Sequence, residues 1–303
     1  MTVENKDTFD VVCIGNYTKD TIVSPAGVTY VDGGAMNYAA HASARLGLKV
    51  AVVTRLAQED QRVIERFKQA GVRGLVEYTP FSTCVKLEYP TTNPDLRNLY
   101  VTSTAGSITI DQVASLQTRA AVIGTTLRGE VDLEVIHALR NKVEWLAVDV
   151  QGFVRVLRGQ SLVYEPWPEM QTVLPCIDIL KSDAVEAEFL TGEANIHKAA
   201  QFFTGLGARE VVLTHKDGLL VYANGQFFEF GFYPKKMDGR SGRGDTCLGA
   251  YTSMRLSMTP EQAGTWAAAV TSLKMETLGP FNRSRGEIED LIRRVYRNGS
   301  HSG

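Results

Sequence analysis

Short apolar runs recur along the chain, and segments long enough to form a helix lie between them. Nearly every position in these runs is apolar, rather than every second one, which predicts strands buried on both faces of a parallel sheet. The runs are FDVVCIG (residues 9–15), AVVT (51–54), AVIGT (121–125), WLAVDV (145–150), IDILK (177–181) and VVLTH (211–215).

Two of the intervening segments have the pattern of helices that stop at a glycine. AMNYAAHASARLG ends at Gly47 and DQRVIERFKQAG ends at Gly71, and glycine is common just past a helix C-terminus. Strands that alternate with helices predict an α/β fold, in which a doubly wound, mostly parallel sheet is flanked by helices.

Three further segments are rich in β-branched and aromatic residues and break this alternation. They are TIVSPAGVTYV (21–31), CVKLEYP (84–90) and NLYVTS (98–103). With turn residues between them, they predict a small separate sheet that forms a lid over a site, and an edge extension of the main sheet is the alternative. We therefore expect one domain over residues 1–303, with lid strands inserted at about 21–32 and 81–104.

The composition narrows the class of partner. The 303 residues are 44% apolar and 22% charged with a net charge of −2, so the chain offers no basic field for nucleic acid or an anionic membrane, and a small-molecule partner is favoured. The polar N-terminus, and the absence of a run near the roughly 20 apolar residues that span a bilayer, predict a cytoplasmic location.

Cysteine and histidine spacing argues against metal knuckles and disulfide frameworks. The four cysteines are far apart in sequence, which favours free, buried thiols. The five histidines lack the close spacing of a histidine-built metal site.

The stretch GRSGRGDTCLGAY (239–251) carries the strongest sign of chemistry. Its glycines form a loop up to Gly244, and the apolar residues after Asp245 predict the first turns of a buried helix. A helix N-terminus presents unpaired N–H groups and a partial positive charge, which suit an anion. Asp245 at that point is either a helix cap or a catalytic carboxylate.

Three familiar phosphate or nucleophile motifs are missing. The chain has no GxxxxGK[ST] string, Gly15 is followed by NYTKD instead of a GxGxxG turn, and GRSGR misses GxSxG by one position. A P-loop, a dinucleotide-binding turn and a nucleophile elbow are therefore disfavoured.

The combination that remains resembles the ribokinase-like (PfkB) family of carbohydrate kinases. GGAMN (33–37), DAVEAEFLTG (183–192), THKDG (214–218) and GRGD (242–245) occur in the family's order across nearly the whole chain. The resemblance implies a ribokinase-like fold, an enzyme that transfers the γ-phosphoryl group of ATP to a sugar or polyol hydroxyl, and ATP and Mg²⁺ as cofactors.

Catalytic roles follow from the same resemblance. Asp245 matches the catalytic base, and Gly242, Arg243 and Gly244 match the hole that binds the migrating phosphoryl group. Two departures stand out, because Gly239 replaces the aspartate that commonly opens the signature and Arg243 replaces the usual alanine. Arg243 and Arg240 are candidate phosphate contacts, although most arginines lie on the surface.

Binding roles are implied for three further groups of residues. The resemblance gives substrate-binding Asp20, Gly34 and Asn37, joined by Gln151 and Arg155 of DVQGFVR, nucleotide-binding Thr214, Lys216, Gly218 and Arg240, and metal-binding Asp183 and Glu186. The three-residue spacing of the last pair places both carboxylates on one helix face, where they suit hydrated Mg²⁺, and complementing the helix dipole is the alternative. Residues 265–280 match the segment that lines the adenine pocket.

Within the family, the chain is most similar to the myo-inositol kinases of thermophilic bacteria and archaea. DVQGFVR (149–155), KSDAVEAEFLTG (181–192), GRSGRGDTC (239–247) and AAAVTSLKM (267–275) carry this similarity. A ribose, fructose or nucleoside kinase, and a catalytically silent sugar- or nucleotide-binding regulator, remain alternatives, and a homodimer through the lid stays open.

Overall fold

The computed structural model describes residues 8–91, 98–239 and 241–296, and the elements below belong to these ranges. The strands are β1 (Thr8–Ile14), β2 (Thr18–Ser24), β3 (Gly27–Gly33), β4 (Val50–Ala57), β5 (Val72–Thr79), β6 (Thr83–Glu88), β7 (Asn98–Ser103), β8 (Gln117–Ile123), β9 (Trp145–Asp149), β10 (Arg155–Arg158), β11 (Ser161–Tyr164), β12 (Ile179–Asp183), β13 (Glu210–Thr214), β14 (Gly218–Ala223) and β15 (Gln226–Gly231). The α-helices are α1 (Ala35–Arg45), α2 (Arg62–Gln69), α3 (Ile110–Val113), α4 (Leu133–Arg140), α5 (Gln151–Val154), α6 (Met170–Val173), α7 (Ala184–Thr191), α8 (Ile196–Gly205), α9 (Arg243–Arg255), α10 (Pro260–Lys274) and α11 (Arg285–Leu291).

A nine-stranded sheet runs through the described part of the chain in the order β15-β14-β13-β12-β9-β8-β1-β4-β5. From β13 to β5 every neighbouring pair is parallel, and the β14–β15 hairpin is antiparallel. One apolar core packs α1, α9 and α10 against one face, and a second packs α4 and α8 against the other. All six apolar runs fall in this sheet, so the doubly wound α/β prediction is confirmed.

A separate sheet of six described strands lies in the order β10-β11-β7-β6-β2-β3. It contains the strands expected between residues 21–32 and 81–104, of which residues 92–97 lie outside the described ranges. Its strands join the main sheet nowhere in the described structure, so an edge extension is wrong. The β10–β11 hairpin was not predicted, although Gly159, with φ 62°, supplies its turn.

The carboxyl ends of the central strands lie at one edge of the main sheet. Asp149 at the end of β9 pairs in register with Lys181 of β12, and Asp183 at the end of β12 pairs with Thr214 of β13. Ligands of open parallel sheets bind outside such ends, so the fold itself places these side chains at a binding edge.

Helix α9 begins earlier than the sequence suggested. Gly242 is the N-cap with φ 74°, a left-handed conformation that glycine adopts without strain, and the helix starts at Arg243. Asp245 therefore lies within the first turn and does not cap it, which is a correction to the expected boundary.

The cysteines are free, as expected, with Cys13 and Cys247 buried and Cys84 and Cys176 partly exposed. No helix in the described ranges combines the length and apolarity needed to cross a bilayer.

Candidate active site

A cleft of about 770 Å³ lies between the carboxyl edge of the main sheet, the N-terminus of α9 and the lid. It collects most of the predicted site residues, although they come from distant parts of the sequence. Those that line it are Asp20, Gly34, Gln151, Arg155, Asp183, Thr214, Lys216, Gly242, Arg243, Gly244 and Asp245.

Asn37 is placed elsewhere. It lines a second cavity of about 460 Å³, and its amide donates hydrogen bonds to the carbonyls of Asp32 at 3.1 Å and Gly33 at 3.4 Å. Its substrate role stays a prediction, and in this structure its side chain holds the turn that leads to Gly34.

Two more predicted residues, Gly218 and Glu186, lie apart from the cleft surface. Gly218 opens the β14–β15 hairpin, where a Cβ would come within 2.2 Å of the Phe230 carbonyl oxygen, so close backbone packing explains this glycine. Glu186 is fully buried. Arg240 lies outside the described residues.

Asp20, on β2 of the lid sheet, lines the cleft. It is 9% exposed, and its Oδ1 has no hydrogen-bond partner within the described structure. Burial raises the pKa of this carboxyl to about 6, a hydrogen bond from Thr18 opposes the rise, and the negative charge of Asp245 adds to it. The two carboxylates line the same cleft and are close enough to influence each other's charge.

Asp245 lies on the first turn of α9 beside the groups that can hold an anion. The first bond of the turn runs from the Thr246 N–H to the Gly242 carbonyl at 2.9 Å, so the preceding N–H groups have no acceptor inside the helix. Burial raises the pKa of Asp245, and the positive charges of Lys181 and Arg155 oppose that rise. A carboxylate beside an anion-binding turn can accept a proton while the turn binds a phosphoryl group.

Lys181 is a candidate site residue that the sequence reasoning missed, and it lines the cleft. Its side chain is 4% exposed, and its ammonium lies 2.9 Å from Asp149 Oδ2. A Cβ on Gly244 would lie 2.5 Å from Lys181 Nζ, so glycine at 244 leaves the room that this lysine needs to reach the anion-binding turn. Its position at the carboxyl end of an apolar strand, two residues before Asp183, was the available signal.

The charge of Lys181 is maintained by its surroundings. Burial alone lowers the pKa of this lysine, but the carboxylates of Asp149, Glu186, Asp183 and Asp245 raise it above its ordinary value. Lys181 is therefore a fixed cation next to the candidate base.

Asp183 and Glu186 form a capping box at the start of α7. Asp183 Oδ1 accepts from the Glu186 N–H at 2.8 Å, and Glu186 Oε2 accepts from the Asp183 N–H at 3.2 Å. Glu186 Oε1 also lies 3.3 Å from Arg155 Nη2, and burial raises the pKa of Glu186 to about 7 against the opposing charge of Lys181. The pair thus satisfies two N–H groups at the start of α7, and its metal role stays a prediction.

A metal role fits Asp183 better than Glu186. Asp183 lines the cleft, whereas Glu186 is enclosed by its two partners. Within the described ranges no group of three or more histidine, cysteine, aspartate or glutamate side chains is arranged to hold a metal ion. One partly buried carboxylate that lines the cleft suits hydrogen bonds to the water shell of Mg²⁺, which this ion largely retains.

The end of the cleft next to β13, which the sequence predicts to bind the phosphoryl donor, is polar and cationic. Its lining includes Thr214, His215, Lys216 and Arg243, and His215 was not predicted. Residues 265–280, the expected adenine-pocket segment, contribute nothing to the lining in the described structure. Most of them belong to α10, whose small residues pack in the core against α9.

The lid supplies an apolar roof, and the unpredicted β10–β11 hairpin contributes to it. Besides Thr18 and Asp20 of β2, the lining residues from the lid are Val85, Leu87, Tyr89, Asn98, Leu99, Tyr100, Arg155, Ser161, Leu162 and Tyr164. The cleft therefore has charged groups on its floor and mostly aliphatic and aromatic groups above.

A lidded α/β cleft with a carboxylate beside a helix N-terminus has the groups that phosphoryl transfer requires. The chain belongs to the pfkB family of carbohydrate kinases, whose sequence profile matches residues 7–284. It is therefore a phosphotransferase that acts on a sugar or polyol hydroxyl, and the expected family is confirmed.

Solved structures extend this finding. A pyrophosphate-dependent kinase of the ribokinase family in a sulfate complex is 33% identical with a TM-score of 0.86, covering 92% of this chain and 99% of that one. A pyrophosphate-dependent kinase complexed with a pyrophosphate analog and myo-inositol is 32% identical with a TM-score of 0.85, with the same coverage. Arabidopsis thaliana ribokinase with ribose and ATP, at 18% identity and a TM-score of 0.73, covers 95% of this chain and 99% of its own and shares the fold. No curated protein is significantly similar to this chain.

Proposed function

We propose that the protein phosphorylates a hydroxyl of a cyclic polyol, with myo-inositol as the preferred acceptor. The observation that carries the proposal is that Asp20 and Asp245 line one cleft, and that Lys181 lies against the first turn of α9, which contains Asp245. A silent binding protein would need neither a base nor a fixed cation at that turn. The similarity to a kinase solved with myo-inositol supports the choice of acceptor.

In the proposed mechanism, Asp20 accepts hydrogen bonds from acceptor hydroxyls and directs one of them toward Asp245. Asp245 takes the proton of that hydroxyl as its oxygen bonds to the phosphorus and the bond from phosphorus to the leaving group breaks. The N–H groups of the first turn of α9 and the Lys181 ammonium stabilise the negative charge on the transferring group. The apolar lid limits water, which would otherwise compete as acceptor.

We further propose that the donor is inorganic pyrophosphate, with ATP, the donor expected from the sequence, as the alternative. Pyrophosphate has no base or ribose, so its binding depends on cations and hydrogen-bond donors. Lys216 and Arg243 line the donor end, and the arginine replaces the alanine usual in the family signature. Two similar solved structures are of pyrophosphate-dependent kinases.

Mg²⁺, when bound, would neutralise charge on the donor phosphates. In this proposal Asp183 holds waters of the ion, while Glu186 orients Arg155 and helps to keep Lys181 protonated.

A substrate panel tests the proposal. Purified protein is incubated with Mg²⁺ and either pyrophosphate or ATP, in the presence of myo-inositol, ribose, fructose or adenosine, and the phosphorylated acceptor is quantified. We expect the highest kcat/KM for myo-inositol with pyrophosphate, and Asp245→Asn serves as the inactive control. Greater activity with ATP would reject the pyrophosphate donor, and a better acceptor among the other three would reject inositol. No transfer with any pair would favour the silent binder.

A further inference from the structure

Glu130 is a buried carboxylate outside the cleft lining, and none of the sequence motifs contains it. The residue is 3% exposed. Its Oε1 accepts a hydrogen bond from the Asn16 N–H at 2.6 Å, and its Oε2 accepts one from the Thr126 N–H at 2.8 Å. One carboxylate therefore joins two segments that are far apart in sequence.

The two segments follow neighbouring central strands of the main sheet. β1 and β8 are parallel, with Ile14 opposite Ile123, and a backbone bond from the Gly124 N–H to the Ile14 carbonyl at 3.0 Å lies at the end of this ladder. Beyond that point the Glu130 side chain bridges the two segments. A carboxylate suits this place, because each of its two oxygens can accept one N–H.

Both segments lead to predicted substrate contacts. The first runs directly into β2, whose Asp20 lines the cleft. In the second, Thr126 itself lines the cleft, and the carbonyl of Thr125 accepts from Gln151 Nε2 at 3.1 Å. The Glu130 side chain thus links the segment that carries Asp20 to the segment that holds Gln151.

The fold keeps this carboxylate buried although burial disfavours its charge. Burial raises the pKa of Glu130 to about 7, the N–H groups of Asn16, Thr126 and Leu127 oppose the rise, and the negative charge of Asp245 adds to it. An amide of the same length would fill the space, but it has one acceptor oxygen and would turn its NH₂ group toward one of the two N–H groups. The bridge therefore needs two acceptor oxygens.

We propose that Glu130 is a positioning residue that fixes Asp20 relative to Gln151, and so sets which hydroxyl of the bound polyol is phosphorylated. The inference rests on the proposed function of the cleft. Glu130 lies outside the cleft lining, so it acts through the segments that follow β1 and β8. The end of the cleft next to β13, proposed to bind the donor, comes from other segments and should be unaffected.

Glu130→Gln removes one acceptor oxygen with little change of volume. We expect the KM for myo-inositol to rise on the order of 10-fold and kcat to fall, because the reacting hydroxyl is misplaced. The KM for the donor, whichever of pyrophosphate and ATP supports transfer, should stay the same. The product should change from one inositol monophosphate to a mixture of positional isomers, which chromatography resolves. A purely structural role would not change the products.

A double-mutant cycle tests the path through the segment after β8. Gln151→Ala should weaken myo-inositol binding by itself. Adding Glu130→Gln should then cost less binding than it costs in the wild-type protein, since both changes act on one segment. Glu134→Gln changes an exposed glutamate of α4, so it is the matched control and should behave as wild type. Thermal unfolding reports whether each variant is folded.

Three results would overturn the inference. They are unchanged kinetics and products in folded Glu130→Gln, equal rises in the KM for both substrates, and additive costs in the double-mutant cycle. If Glu130→Gln does not fold, amide hydrogen exchange of the wild-type protein decides. Bound myo-inositol should slow exchange at the Asn16 and Thr126 N–H groups more than pyrophosphate does, and equal responses to the two ligands would reject the inference.

If wild type transfers phosphate from neither donor, the proposed function fails separately. Calorimetry of myo-inositol binding then decides the inference. Weaker binding by Glu130→Gln with unchanged pyrophosphate binding would support it. Unchanged myo-inositol binding, or none by the wild-type protein, would reject it.

Discussion

Asp20 is held in its site at a cost to stability. Burial and the charge of Asp245 raise its pKa from 3.8 to about 6, so the folded protein binds this proton more tightly than the unfolded chain. The favourable contribution of this carboxyl to folding is complete below pH 3.8 and is lost as the pH rises through about 6. At pH 7 the ionised side chain is ready to accept hydroxyl hydrogen bonds, and the fold is correspondingly less stable.

Asp20→Asn should therefore stabilise the fold and weaken the binding of the polyol. We expect the free energy of unfolding at pH 7 to increase by about 1–3 kcal/mol and the KM for the polyol to rise. In the wild-type protein the KM should increase as the pH falls through about 6, and this dependence should disappear in Asp20→Asn. Chemical denaturation and steady-state kinetics from pH 5 to about 8 measure both effects. An unchanged or lower stability of the variant at pH 7 would argue against the raised pKa.

Asp245→Asn tests the base directly. The amide cannot accept the hydroxyl proton, so we expect kcat to fall by roughly 10²–10⁴-fold with little change in polyol affinity. Calorimetry with myo-inositol, together with thermal unfolding, provides the folding control. A variant with near-normal kcat would remove Asp245 from the role of base.

At the scale of elements, local sequence patterns predicted the buried strands and the helix ends. The buried strands were recognisable because continuous apolar runs are required on both faces of a parallel sheet, and Gly47 and Gly71 ended their helices as expected. The start of α9 was misplaced because Gly242 can enter the left-handed region, which lets a helix begin inside a glycine-rich segment. The β10–β11 hairpin was missed because its strands, Arg155–Arg158 and Ser161–Tyr164, are only four residues each.

The lid strands should control where the phosphoryl group goes. Leu87 of β6 is buried, lines the cleft and packs in the lid core. Leu87→Ala should admit water, so the ratio of donor hydrolysis to polyol phosphorylation should rise severalfold. Parallel assays of orthophosphate and phosphorylated polyol measure this ratio.

Val163→Ala provides the matched control, because Val163 also lies in the lid but is exposed and outside the cleft lining. Equal ratios in the two variants would mean that Leu87 does not exclude water. Because Leu87→Ala can cost about 2–5 kcal/mol of stability, the assays belong well below its unfolding temperature.

At the scale of the whole molecule, a site residue could be predicted where a sequence motif marks it. It could not be predicted where its role depends on residues that the fold brings together from distant parts of the chain. Asp20, Asp183 and Asp245 were found from the family motifs, and the fold brings them to one cleft. Lys181 escaped notice because its importance comes from four carboxylates contributed by β9, β12, α7 and α9. Asn37 was assigned by motif alone, and its placement in the second cavity depends on tertiary packing that no local pattern reports.

The outer edge of the lid supports a proposal for the quaternary structure. β3 is an edge strand of the lid sheet, and Val28 and Tyr30 on it are 55% and 79% exposed. We propose that two copies associate through this edge, because unpaired strand edges with apolar side chains favour association. Tyr30→Glu should shift the protein to a monomer in light scattering across a concentration series, with Tyr78→Glu on β5 of the main sheet as control. A monomeric wild type would reject the proposal.

The Lys181 ammonium occupies the space that a side chain at position 244 would need, and this restricts the substitutions that are possible at both positions. Because a Cβ at 244 would lie 2.5 Å from the Lys181 ammonium, any side chain at 244 must displace the lysine, and a shorter residue at 181 would remove the reason for glycine at 244. The residue that is tolerated at one of these two positions therefore depends on the residue at the other. Gly244→Ala alone should lose the cation from the phosphoryl site, whereas a paired change at 181 could relieve the crowding without restoring the charge. Variants with a side chain at position 244 that are made to accept a different phosphoryl donor must therefore also be changed at position 181.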